Sequence, residues 1–156
     1  MAPPGTKPWY ARGLRFTCTG CGKCCTRNGK YEAVYLARGE ARRIAAHLGL
    51  SAAAFRRRYT YRENGFTLLR FTEEGACVFL RDSLCGIYDV RPAQCRTFPF
   101  WPENLDRKVW KEEIAPICEG ISPEGRLYSR EEIERISRAT DGEEGLDEEA
   151  PGVAPP

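Results

Sequence analysis

Residues 18–25 read Cys18-Thr19-Gly20-Cys21-Gly22-Lys23-Cys24-Cys25, and this stretch decides how the chain must fold around it. Four thiols within eight positions of a glycine-rich loop cannot all point into one apolar core. The arrangement suits sulfur converging on a cation. Gly20 and Gly22 help, because glycine reaches φ > 0 and lets backbone approach sulfur closely. Lys23 reads either as a cation favouring the ligating thiolate or as a solvated loop lysine. Cys18, Cys21 and Cys24 have C-x2-C-x2-C spacing, matching the three local ligands of a bacterial-type 4Fe–4S site whose fourth cysteine is remote. Structural zinc sites more often use two separated C-x2-C pairs, and no second pair exists here. The spacing tilts toward iron–sulfur and leaves zinc open. An extended backbone at Cys24–Cys25 would send adjacent side chains to opposite faces. Cys25 then ligates a second metal, stays a free redox-capable thiol, or is simply buried.

Outward from the cluster, Cys77, Cys85, Cys95 and Cys118 are dispersed as remote ligands of a folded site would be, and two four-sulfur sites would consume all eight cysteines. A chain of 156 residues suits one domain with a real core. The first ten residues contain three prolines and no apolar stretch, unlike a signal peptide. No run approaches the roughly 18 apolar residues of a membrane span. These features imply a cytoplasmic protein, where clustered thiols favour metal over disulfide. Residues 141–156 hold six acids and no base. Removing those six from the 22 acids leaves 16 against 24 bases in residues 1–140, a formal +8. A basic body can mark a nucleic-acid partner. Four thiolates around a divalent metal carry about −2, however, so the excess reads equally well as compensation for metal-bound sulfur.

Pattern divides the chain into a flexible arm (1–11), a cysteine-cluster domain (12–140) and an acidic, Pro/Gly-rich disordered tail (141–156). Leu14–Thr17 and Tyr31–Leu36 read as short strands. A helix is predicted over about Arg38–Leu48, closed by Gly49, with Ser51 capping a second helix over Ala52–Tyr59. Asn64-Gly65 joins Tyr59–Glu63 to Phe66–Phe71 as a hairpin. Cys77–Leu80 is a further apolar run, and residues 81–105, with Pro92, Pro99 and Pro102, read as irregular. Ser129-x2-Glu132 is a capping box opening a helix to about Ala139, with Ile133 and Ile136 as its apolar contacts. The expected fold is a small, irregular, metal-stabilised α+β domain with short helices, a β-hairpin and long cysteine-bearing loops.

Taken together, Phe16-x-Cys18-x2-Cys21-Gly22-x-Cys24-Cys25, Cys77-x-Phe79-Leu80 and Cys85-x-Ile87-Tyr88-x2-Arg91-Pro92-x2-Cys95-Arg96-x-Phe98-Pro99 resemble the CxxCxxCC cysteine-cluster family. The resemblance covers about residues 14–100 and leaves Cys118 and the last helix outside. It implies chelation of zinc or iron. A related cluster in flagellin lysine methylases hints at enzymatic company. The expected metal ligands are Cys18, Cys21, Cys24, Cys25, Cys77, Cys85, Cys95 and Cys118, with an iron–sulfur cluster slightly preferred to zinc. The alternatives are a metal-dependent enzyme acting on a protein side chain, supported by Arg91, Arg96 or Tyr88, and a nucleic-acid-binding zinc module, motivated by the basic body although a nucleic-acid partner is not expected. Arg91 and Arg96 otherwise read as partners of Asp82 or Asp89. His47, the single histidine, reads as a helix-terminal surface residue. Arg56-Arg57-Arg58 reads as a solvated face, and Trp101 and Trp110 as core.

Overall fold

The computed structural model describes residues 4–26 and 33–141. Strand β1 (Leu14–Phe16) enters the cysteine loop and pairs antiparallel with β6 (Arg126–Tyr128), in register Leu14↔Tyr128 and Phe16↔Arg126. Helices α1 (Glu40–His47) and α2 (Ala52–Tyr59) follow, then the hairpin β2 (Thr60–Glu63) and β3 (Phe66–Leu69). A minimal hairpin, β4 (Leu80–Arg81) and β5 (Leu84–Cys85), leads to α3 (Ala93–Thr97). Helix α4 (Arg107–Val109) runs on into a π-helical turn over Trp110–Ile114, and α5 (Arg130–Arg138) ends the described chain with a 3-10 turn over Ala139–Asp141. The α+β class expected from pattern is the class observed.

Local chemistry accounts for most boundaries. Gly39 sits at φ 82° ahead of α1, so the helix starts two residues later than its periodicity suggests. The Ser51 hydroxyl accepts from the Ala54 N–H at 3.1 Å and caps α2. Asn64 and Gly65 hold φ of 49° and 84°, the double positive turn a tight hairpin needs. At α5 the capping box is complete: Ser129 Oγ accepts from Glu132 N–H at 3.2 Å, and Glu132 Oε2 accepts from Ser129 N–H at 2.8 Å.

Three stretches differ from expectation. Of Tyr31–Leu36, residues 31 and 32 lie outside the described residues. Residues 33–36 make a single bridge, Tyr35↔Leu68, and lean on β3 through Leu36 N–H to Thr67 O and Leu69 N–H to Val34 O. The span 81–105 is more regular than its prolines suggest, because Pro92 and Pro102 stand at helix starts, where a missing N–H costs nothing. Helix α4 carries no strong sequence signal. Asp106 caps it by accepting from the N–H groups of Lys108 and Val109, and Trp110 and Ile114 anchor it in the core. The acidic tail beyond Asp141 lies outside the described residues.

The buried apolar side chains form two clusters. One joins β1, β6, α5 and the π turn through Phe16, Phe100, Trp110, Ile114, Tyr128, Ile133 and Ile136. Trp9 packs against it and donates Nε1–H to Leu105 O at 2.7 Å, so the end of the N-terminal arm touches this core. The other cluster gathers Ile44, Phe55, Leu69, Phe79 and Ile87 beneath α1, α2 and the main hairpin. The cysteine loop lies between the two.

Candidate metal centre

Backbone hydrogen bonds tie each end of the cysteine loop to a different cluster. Thr17 N–H donates to Gly120 O at 3.0 Å, and Thr17 Oγ1 accepts from Arg126 N–H at 2.9 Å. At the other end Cys77 N–H donates to Cys25 O at 2.6 Å, beside the bridge Thr26↔Ala76. Gly20 and Gly22 have φ of 70° and 73°, as the loop chemistry requires. A Cβ on Gly22 would stand 3.1 Å from Ser83 O, so the loop can lie against the minimal hairpin only because that side chain is missing.

Cys24 and Cys25 lie in a 3-10 turn, Lys23–Cys25, and not in extended backbone. Helical dihedrals turn neighbouring side chains by far less than the half-circle of a strand. The two sulfurs consequently stand 4.0 Å apart on the same side of the chain. Both line a cavity of about 310 Å³ together with Cys18, Cys77, Cys85 and Cys95. Apolar side chains, among them Phe79, Ile87 and Phe98, complete the wall, with Tyr88 and Arg91 as its polar members besides Ser83. A second cavity of about 40 Å³ is lined by Cys18, Cys21, Cys24 and Cys118. Phe16, Gly22 and Phe98 contribute to both walls. All eight cysteines therefore line one cavity or the other, and all are free thiols.

Several sulfurs receive a backbone N–H from two residues onward. Gly20 N–H donates to Cys18 Sγ at 3.4 Å. Phe79, Ile87 and Gly120 do the same for Cys77, Cys85 and Cys118, with Ile121 adding a second donor at Cys118. Such donors favour the thiolate, but burial outweighs them. It raises Cys77 and Cys85, lifts Cys95 well above the ordinary thiol range, and pushes Cys118 up to about 11. Within the doublet, Cys24 is lowered and Cys25 raised, because the thiol of Cys25 stabilises a thiolate on Cys24.

Two cations attend the sulfurs. Lys23 pairs with Glu119 at 3.0 Å and feels the charges of Cys21 and Cys118. Arg91 lowers Cys24, Cys85 and Cys95. Its guanidinium stacks 3.8 Å above the Tyr88 ring and donates to Tyr88 O at 2.8 Å, in place of the aspartate partners expected from sequence. Arg96 is half-buried beside Arg43 and Glu40, and burial lowers its pKa. The buried Glu40 accepts from Ala93 N–H at 2.7 Å and from Ala37 N–H at 2.8 Å, clamping α1 to the start of α3, which carries Cys95. His47 is exposed at the end of α1 and lines neither cavity.

Among the described residues the walls of both cavities contain no histidine, aspartate or glutamate, so cysteine sulfur dominates the donor set. Thiolates select zinc, copper(I) or iron–sulfur chemistry over magnesium or calcium. Among the described residues no three His, Cys, Asp or Glu side chains are drawn together tightly enough to grip an ion, so metal would have to pull the sulfurs inward. Sequence reasoning named the eight thiols that line the two cavities but missed the π-turned helix that delivers Cys118, through Cys118 N–H to Ile114 O. The signal available was Asp106 as a cap, followed by Trp110, Ile114 and Cys118 at fourfold spacing.

The profile of the CxxCxxCC family, described as a "putative zinc- or iron-chelating domain", matches residues 17–119. A curated relative, an uncharacterised protein of Methanocaldococcus jannaschii, is 26% identical over 151 residues, covering 90% of this chain and 78% of that protein. No solved structure matches.

Proposed function

The chain belongs to the CxxCxxCC family, and from that premise we propose that its cysteines act as thiolates that chelate iron, with an iron–sulfur cluster preferred to zinc, in a cytoplasmic protein. The observation that carries this is the convergence of six cysteines on one cavity of about 310 Å³ whose wall, among the described residues, holds no carboxylate or imidazole. Cys24 or Cys25 with Cys77, Cys85 and Cys95 would hold the metal there. A bound cluster would supply one-electron transfer or rigid structural support; the surrounding apolar side chains exclude water, and Arg91 offsets thiolate charge. The volume exceeds what a single ion needs, which supports a polynuclear centre. Among the described residues no helix is long and apolar enough to cross a membrane.

Anaerobic isolation, metal and inorganic-sulfide analysis and a visible spectrum test the proposal. Iron, sulfide and a visible charge-transfer band are the expected result. Stoichiometric zinc with a colourless protein overturns the iron–sulfur preference while leaving chelation in place.

A second function is favoured by one feature of the same cavity. Tyr88 and Arg91 lie in its wall, and the Tyr88 hydroxyl is buried near the Arg91 guanidinium. A metal-dependent enzyme acting on a protein side chain would use such groups to position its substrate. Binding of a lysine-bearing peptide to the metal-loaded protein, lost in Arg91→Ala with metal content unchanged, is the outcome that would distinguish it.

A further inference from the structure

Resting on the chelating function proposed above, we infer that the eight cysteines build two separate metal centres: Cys18, Cys21, Cys24 and Cys118 enclose a single divalent ion at the small cavity, while Cys25, Cys77, Cys85 and Cys95 hold a second metal at the large one.

The division follows from what each sulfur touches. Cys21 and Cys118 line only the small cavity, and Cys25, Cys77, Cys85 and Cys95 only the large one. The two apolar clusters draw the same line. Cys118 and Cys18 pack with the first, whereas Cys25, Cys77, Cys85 and Cys95 all pack with the second. Cys18 and Cys24 line both cavities; Cys18 packs with the first cluster, and the chain beside Cys24 assigns the doublet. The carbonyl of Cys25 accepts from Cys77 N–H, which anchors Cys25 in the second cluster and leaves Cys24 as the fourth thiol lining the small cavity.

Size and charge agree with this division. About 40 Å³ is room for one ion inside a closed four-thiolate shell, the arrangement of structural zinc. About 310 Å³ has room for more than one metal atom. A divalent ion with four thiolates carries about −2 and is stabilised by a nearby cation. Each site has one: Lys23 lines the small cavity and Arg91 the large one. The rival arrangement puts Cys24 and Cys25 on one metal. Their 4.0 Å separation is close to the about 3.8 Å between sulfurs sharing a tetrahedral zinc with 2.3 Å bonds. That arrangement leaves the small site three thiols.

Cobalt(II) titrated anaerobically into the metal-stripped full-length chain separates the two, read by thiolate-to-cobalt absorption and by cobalt bound per chain, with circular dichroism confirming the fold. Two equivalents are expected. Cys21→Ser, at a half-exposed loop position, leaves one; Cys95→Ser leaves the other; the double variant leaves none. A single equivalent in the unmodified chain, or loss of both in each single variant, overturns the second centre and leaves chelation standing. Failure to bind cobalt or zinc at all overturns chelation itself.

Discussion

Cys118 shows how far one side chain's environment can depart from the ordinary. Its thiol is buried among Phe16, Trp110 and Ile114, and is pushed up to about 11 from 9.0 despite two N–H donors. A folded-state pKa above the unfolded value means the thiol form is favoured by folding. Stability from this group is therefore intact below about pH 9 and lost as pH rises toward 11. The shift of two units sets an upper bound of about 2.7 kcal/mol. Metal-free protein is expected to lose stability over this window in urea melts, and Cys118→Ala to flatten that loss. Metal-loaded protein is expected to show no such window, because a ligated sulfur is already deprotonated. The Cys24–Cys25 doublet belongs to the same scale. Its 3-10 geometry is invisible in composition, since no residue type in Lys23-Cys24-Cys25 specifies a helical turn.

Among the elements, two helix N-termini contrast an exposed cap with a buried clamp. Ser129 caps α5 at an exposed position, and Ser129→Ala is expected to cost about 1 kcal/mol. Glu40 is 3% exposed and holds two N–H groups, one of them on α3. Glu40→Ala strips Ala93 N–H of its partner inside the protein and leaves Arg43 without its carboxylate 3.8 Å away. A loss of about 3 kcal/mol is expected, together with weaker metal retention, because α3 carries Cys95. Denaturation of both variants checks the ranking; equal losses would contradict the clamp. The capping box, the Asn64-Gly65 turn and the Ser51 cap were all legible beforehand because their chemistry is local. Helix α4 and the minimal hairpin were not. Phe100 stacks on Trp110 at 5.9 Å to hold the π turn, and Asp82 and Ser83 adopt φ of 46° and 67° between β4 and β5 without a glycine.

At the scale of the whole molecule, the chain closes by pairing β1 with β6 across more than a hundred residues. Gly125 lets that closure happen: a Cβ there would stand 2.9 Å from Phe16 N. The closure brings Cys118 beside the cysteine loop, while the Cys25–Cys77 hydrogen bond brings in the other three thiols. Metal is then expected to hold two apolar clusters against one loop. Stripping it with a chelator should lower the melting temperature by about 10 °C or more and speed proteolysis within residues 18–26. An unchanged melting curve would mean that the clusters hold together without it.

The sequence alone determined the supply and spacing of sulfur, the family and the locally coded elements, because cysteine spacing, caps and turn residues act over a few positions. Only the tertiary structure decided which sulfur faces which cavity. That depends on strand pairing and aromatic packing between segments far apart in the chain, which no local spacing encodes. It placed Cys118, which lies beyond the motif resemblance read from sequence, beside Cys21, and left Cys18 and Cys24 at the boundary between two sulfur-lined spaces.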